Sequence, residues 1–259
     1  MLCALLLALA LVPVPPNAAP RQEEEAVKVD ERPEIKAKLT ELAEFVKAKG
    51  EKDQEATGVI DTLLQEFPGS GPKDRAAIVK ALGDCFDAKR KDKEEGVPDD
   101  GLYKAATAAL GEMAPESVKV LIPLIGDKTH RKNQSLQVAL TLALGKTKSP
   151  EASKTLLGLL KHKDPPMQAA GAEAMAFFAD APEALRKEMF EEMLKTMMDQ
   201  YTKKETSPTD QEAQDRWNTI SGPIIESLQK LSGHGESNPD QWLKWWNDNK
   251  KKPWSEKAG

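Results

Sequence analysis

The sequence predicts an all-α fold, a solenoid of antiparallel helix pairs, and two interleaved internal repeats predict it. Ala109-Leu110-Gly111 closes one apolar segment, Ala143-Leu144-Gly145 closes a second 34 residues later, and Phe177-Phe178-Ala179 closes a third after the same interval. Between them, Leu121, Ile122, Leu124 and Ile125 recur 35 residues on as Leu156, Leu157, Leu159 and Leu160, and Phe190, Met193 and Leu194 follow 34 residues beyond Leu156, Leu159 and Leu160. A period of this length holds two amphipathic helices, and neither can bury its apolar face without a neighbouring repeat. Composition points the same way: 31% charged, 39% hydrophobic and only 5% aromatic residues suit a ribbon of core better than one large globule.

From the N-terminus, Met1 to Val14 is an uncharged run rich in Leu and Ala, followed by Pro15 and Pro16 and the small residues Ala18 and Ala19. Residues 1–19 therefore read as a secretory signal peptide, since the run falls short of the about 20 apolar residues a transmembrane helix needs. An uncleaved, membrane-tethered segment is the alternative. The expectation is an exported protein, periplasmic or secreted, with no stable membrane span once the signal is removed. Cys85 would then be the sole cysteine, and its apolar setting beside Leu82 and Phe86 predicts a buried side chain rather than a reactive thiol. A net charge of -5 with no clustered excess of Lys and Arg argues against a nucleic-acid partner.

Residues 20–32, with Glu23, Glu24 and Glu25 together, read as a flexible charged leader. Ile35, Leu39, Leu42, Phe45 and Val46 then fall at helical spacing behind Pro33, which a first helical turn tolerates. Helices are expected over 54–67 and 73–89, followed by a polar stretch from Lys89 to Asp100 that is either a solvated spacer or an insertion on a binding face. The pairing then becomes regular: helices over 101–113, 115–125, 132–146, 150–161, 165–179 and 182–203. Pro115, Pro150, Pro165 and Pro182 stand at helix starts, where the missing N–H costs nothing, and Asp164 is placed to cap. After a linker at 202–209, a helical pattern with Trp217, Ile220, Ile224 and Leu228 on one side runs to Leu231, with a kink expected at Gly222-Pro223. Asn238-Pro239-Asp240 opens a short helix carrying Trp242, Trp245 and Trp246 on one face. The stretch from Lys250 to Trp254 reads as a solvated, frayed end.

Helices closing in Ala-Leu-Gly, a proline inside a first helix (Pro123), and Leu156-Leu157-Gly158-Leu159-Leu160 followed by a turn with Asp164 together resemble HEAT repeats. Tetratricopeptide repeats share the period, but their Trp, Leu-Gly and Tyr signature is missing from the first helices. The resemblance implies a right-handed α-solenoid over 33–235, most regular over 102–194, with second helices lining a concave surface. It also implies a ladder of Asp and Arg between repeats, although Gln168 stands where the Arg would be. The tail, residues 236–259, resembles one found at the ends of exported bacterial HEAT-repeat proteins, which implies a bacterial source and a capping helix.

Chemistry is hard to find. His130 and His162 fall in equivalent inter-helix turns and read as solvated, and neither they nor His234 stand at metal-ligand spacing. No phosphate-cradling glycine loop or nucleophile elbow is present, so neither a cofactor nor a metal is expected. The expected function is a non-catalytic scaffold that binds a protein or peptide. Alternatives are glycan or envelope binding through Trp242, Trp245 and Trp246, which otherwise serve as a cap, and a regulatory subunit of an enzyme assembly. An enzyme built from scattered residues ranks below the scaffold. The oligomeric state is open. For the partner surface, Thr107, Gln134, Thr141, Gln168 and Met175 occupy equivalent, uncharged positions opposite the apolar sides of their helices. They form either a concave binding ridge or a face buried by close neighbours.

Overall fold

The structure, a computed structural model, describes residues 29–254. The expected signal peptide and most of the leader lie outside the described residues. All regular secondary structure among the described residues is helical: α1 (Pro33–Lys47), α2 (Asp53–Glu66), α3 (Pro72–Asp84), α4 (Gly101–Gly111), α5 (Val118–Leu124), α6 (Gln134–Lys146), α7 (Pro150–Leu159), α8 (Pro165–Met175), α9 (Glu183–Thr206), α10 (Gln211–Ser232) and α11 (Pro239–Asn249). The starts follow the local chemistry. Pro33, Pro72, Pro150, Pro165 and Pro239 open helices, while Asn133, Ser149, Asp210 and Asn238 cap theirs by accepting from free backbone N–H groups. Gly233, at φ 74°, supplies the left-handed residue that ends α10.

The helices form two rows. α1, α3, α5, α7, α9 and α11 each touch the next, as do α2, α4, α6, α8 and α10, and α1–α2, α3–α4, α5–α6, α7–α8 and α9–α10 pack as pairs across the rows. The repeated apolar residues fill the space between: Leu121, Leu156, Phe190 and Met193 are all fully buried. The repeated glycines are explained by close approach in the second row. A Cβ on Gly111 would lie 3.2 Å from Ala143 Cα, and one on Gly145 only 2.6 Å from the Ala174 carbonyl oxygen.

Glutamine fastens the turns. Gln137, Gln168 and Gln214 each occupy the fourth position of their helix, and each side-chain amide donates to a carbonyl near the end of the preceding helix: Leu124 at 3.1 Å, Leu160 at 2.6 Å and Lys204 at 3.0 Å. Those carbonyls have no partner within their own helix, so the amide satisfies what the helix end leaves open. A polar ladder also links successive second helices. Arg90 Nη1 reaches Asp53 and Asp99, Asn133 donates to Asp100, Gln134 donates to Asp164, and Arg216 donates to Gln168.

Several expectations are corrected. The end of the leader is docked: Asp30 accepts from the backbone of Lys73 and Asp74, and Asp74 accepts from that of Glu31 and Arg32. Pro115 precedes α5, which begins at Val118, rather than opening it. Asp164 stands at the N-cap of α8 but makes no side-chain capping bond, because its carboxylate takes the amide of Gln134 instead. The stretch expected as a spacer is anchored at one end, where the Arg90 side chain is 2% exposed between Asp53 and Asp99. His130 is buried, not solvated: Nε2 lies 2.9 Å from the Phe86 carbonyl and the ring meets Phe86 and Tyr103 edge-on.

Candidate functional site

Four of the five ridge residues do not reach the surface. Thr107, Thr141, Gln168 and Met175 are buried, and only Gln134 is exposed. The two threonine hydroxyls turn back on their own helices, to the Tyr103 and Gln137 carbonyls, which is how a hydroxyl is satisfied inside a helical layer. These residues are uncharged because α4, α6 and α8 press against one another, so the ridge is core.

The aromatic patch is also largely internal. Trp242 and Trp246 are buried and Trp245 half-buried, and all three meet Phe190 of α9 at 5.0 to 5.5 Å between ring centroids. His234 stacks on Trp245 at 5.0 Å. Trp254, expected to be frayed, joins this cluster: it is buried against Phe190, Trp245 and Trp246, and its backbone N–H donates to Glu183. α11 and the following residues therefore cover the end of the first row at α9.

The open concavity lies elsewhere and follows from unequal helix lengths. α7 and α8 have 10 and 11 residues, α9 and α10 have 24 and 22. Lys161, just past the end of α7, lies 4.0 Å from Glu192 of α9, so residues 193–206 carry α9 about 20 Å further at about 1.5 Å per residue. The projecting α9 and the start of α10 form a wall beside the turn between α7 and α8. Two depressions result, of about 790 and 1280 Å³, and they meet at His162, Lys163, Glu212 and Arg216. The smaller continues along α9 to Gln200 and Lys203, the larger across the α8 start to Arg131 and Lys132.

The shared residues are held in place. Pro165 forces Asp164 into an extended conformation, φ -89° and ψ 117°, which ends the turn. His162 Nδ1 accepts from the Asp164 N–H at 3.1 Å, so the ring proton sits on Nε2, which is left free to donate. Arg216 donates to Gln168 Oε1 at 2.6 Å and to the Lys163 carbonyl at 2.7 Å. Gln168, read as a ridge residue, is thus a floor residue of the smaller depression, and Gln134 borders the larger through Asp164. Thr107, Thr141 and Met175 line neither. The sequence reading passed over Lys161, Lys163 and Arg216, and took His162 only for a solvated turn residue. Their available signals were the basic run directly before Pro165-Pro166 and the exceptional length of the helix after Pro182.

For chemistry, the groove offers donors and charges but no nucleophile paired with a base. Among the described residues no group of His, Cys, Asp or Glu is arranged to hold a metal ion. Cys85 is buried, and burial is the main cause that pushes its thiol up to about 12. No helix among the described residues is long and apolar enough to cross a membrane. No family model, no curated protein and no solved structure matches this chain.

Proposed function

We propose that this protein is a non-catalytic, exported scaffold that holds a segment of a partner protein in the groove between the α7–α8 turn and the projecting ends of α9 and α10. The two rows of helices with their cross-row pairs support reading the body as a right-handed, HEAT-like solenoid of antiparallel pairs, capped by α11. The observation that carries the functional reading is the groove itself. Two adjoining open depressions are walled by helices longer than their neighbours and floored by fixed polar side chains. Such a surface presents hydrogen-bonding groups to an extended chain without a reacting centre. The aromatic alternative is weaker, because Trp242 and Trp246 are spent on Phe190.

Site-specific photocrosslinking tests the reading. A photoreactive phenylalanine analogue is placed at Lys203 or Glu212, both exposed in the groove, and at Lys154 on α7 as a control. The expected result is one crosslinked protein from the two groove positions and none from Lys154. Equal labelling at all three positions, or none from the groove, would remove the groove from the function.

A further inference from the structure

Three exposed cations on the rim of the larger depression bear on what the groove could accept. Arg131 and Lys132, from the turn before α6, and Lys163, from the turn before α8, are exposed on its rim. Among the described residues, none of these three side chains has an ion pair or hydrogen bond. The carboxylates nearby keep their charge: Asp164 accepts from the neutral amide of Gln134 at 3.0 Å and Asp215 from that of Gln211 at 2.7 Å. Glu212 stands 3.9 Å from Arg216 with a side chain 87% exposed, free to turn into solvent. The lining thus carries Arg131, Lys132, Lys163 and Arg216 against Asp164, Glu212 and Asp215, an excess of one positive charge, with the Nε2–H of His162 beside it, in a chain whose net charge is -5. The starts of α6 and α8 lie at the same edge and add the positive ends of their helix dipoles.

We propose that the occupant is an acidic peptide segment, bound extended with its carboxylates on Arg131, Lys132, Lys163 and His162. This rests on the groove being the binding site. Asp164 and Asp215 decide between a peptide and a continuous polyanion. Interleaved with the cations, they repel an unbroken row of phosphates, but they have lone pairs for the backbone N–H groups between a peptide's acidic side chains. The second depression, continuous with the first through His162, Lys163, Glu212 and Arg216, gives room for several residues.

Fluorescence anisotropy with the full chain tests this. The probes are a labelled octapeptide alternating Glu and Ser, the same peptide with Gln or Lys for each Glu, and an eight-nucleotide oligothymidylate. The Glu peptide is expected to bind at least ten-fold more tightly than the Gln peptide, and more weakly as salt rises, because exposed charges are screened. Arg131→Glu combined with Lys163→Glu should weaken it at least ten-fold, whereas Lys154→Glu on α7 should leave it unchanged. All three positions are exposed, so circular dichroism should be unaltered. Equal binding of the Glu and Gln peptides, with both lost in an Arg216→Ala variant, would overturn the acidic occupant and keep the groove. Binding of the Glu peptide that ignores the groove variants would overturn both, as would the absence of any peptide binding. Oligothymidylate binding as tightly as the Glu peptide would reassign the groove to a polyanion.

Discussion

Arg216 of α10 donates to Gln168 Oε1 at 2.6 Å while the amide of Gln168 donates to the Leu160 carbonyl at 2.6 Å, so one buried side chain of α8 joins the end of α7 to α10. Gln168→Leu keeps the bulk and removes both bonds, leaving a buried carbonyl without its partner. The expected cost is about 1 to 3 kcal/mol, the range for stranding a buried polar group. Gln214→Leu, at the equivalent but half-buried position, should cost less. Urea denaturation of the two variants checks the order, and a Gln168 variant as stable as the parent would show that the amide fastens nothing.

The repeats were legible because burial between two rows leaves a periodic trace. Leu121, Leu156 and Phe190 recur in sequence and are all fully buried. The ridge stayed open between two readings because a helix sandwiched between neighbours and a helix offering an uncharged binding face write the same pattern. Thr141 is 0% exposed only because α4 and α8 both press on α6. The groove left less trace, since it depends on how far α9 outruns α7 and on three turns, distant in sequence, meeting along one edge. His130 and Trp254 were misjudged for a related reason. Each is buried by partners far along the chain, Phe86 for one and Phe190 for the other, which local pattern does not register.

The close approach of α6 and α8 gives a second prediction. A Cβ at Gly145 would meet backbone and side-chain atoms of Ala174 at 2.6 to 2.8 Å, and α8 cannot retreat without disturbing its packing on α10. Gly145→Ala should therefore cost about 1 to 3 kcal/mol, as overpacking does. Gly158, exposed on α7 with no atom within 4 Å of its would-be Cβ, serves as the opposite case. Gly158→Ala should stabilise by about 0.4 to 1 kcal/mol by restricting the unfolded chain. Thermal melts of the two variants should move in opposite directions.

Asp100 gives the ladder a pH dependence. Burial alone would raise its carboxyl, but hydrogen bonds from Asn133 and Lys104 outweigh that and hold it below the usual 3.8. A depressed folded value means that the stabilisation is fully present above the unfolded carboxylate value and fades as pH falls through the folded one. Stability should drop between about pH 5 and pH 2, and Asp100→Asn should flatten part of that fall while lowering stability at pH 7. Urea midpoints collected across this range test it, and identical pH profiles for both proteins would remove Asp100 from the ladder's energetics.

The tail separates two pictures of the C-terminus. If residues 250–254 were frayed, losing Trp254 would cost nothing. Instead Trp254 is 6% exposed, packs against Phe190 at 5.4 Å, and lies under the Arg186 guanidinium at 5.7 Å. Its backbone is tied down on both sides of Pro253, through the Lys252 carbonyl to Lys187 and through its own N–H to Glu183. Arg186 is itself buried, donating to the Leu231 carbonyl at 2.9 Å, so the ring over it also shields the junction of α9 with α10. Trp254→Ala should therefore lower unfolding free energy by about 3 to 5 kcal/mol, the range for emptying a buried tryptophan site. Trp245→Ala, at the half-buried rim, should cost less. If the tail is a cap, the Trp254 variant also binds an apolar dye that the parent ignores, because the end of the first row is uncovered. A variant with unchanged melting and no dye binding would return the tail to solvent.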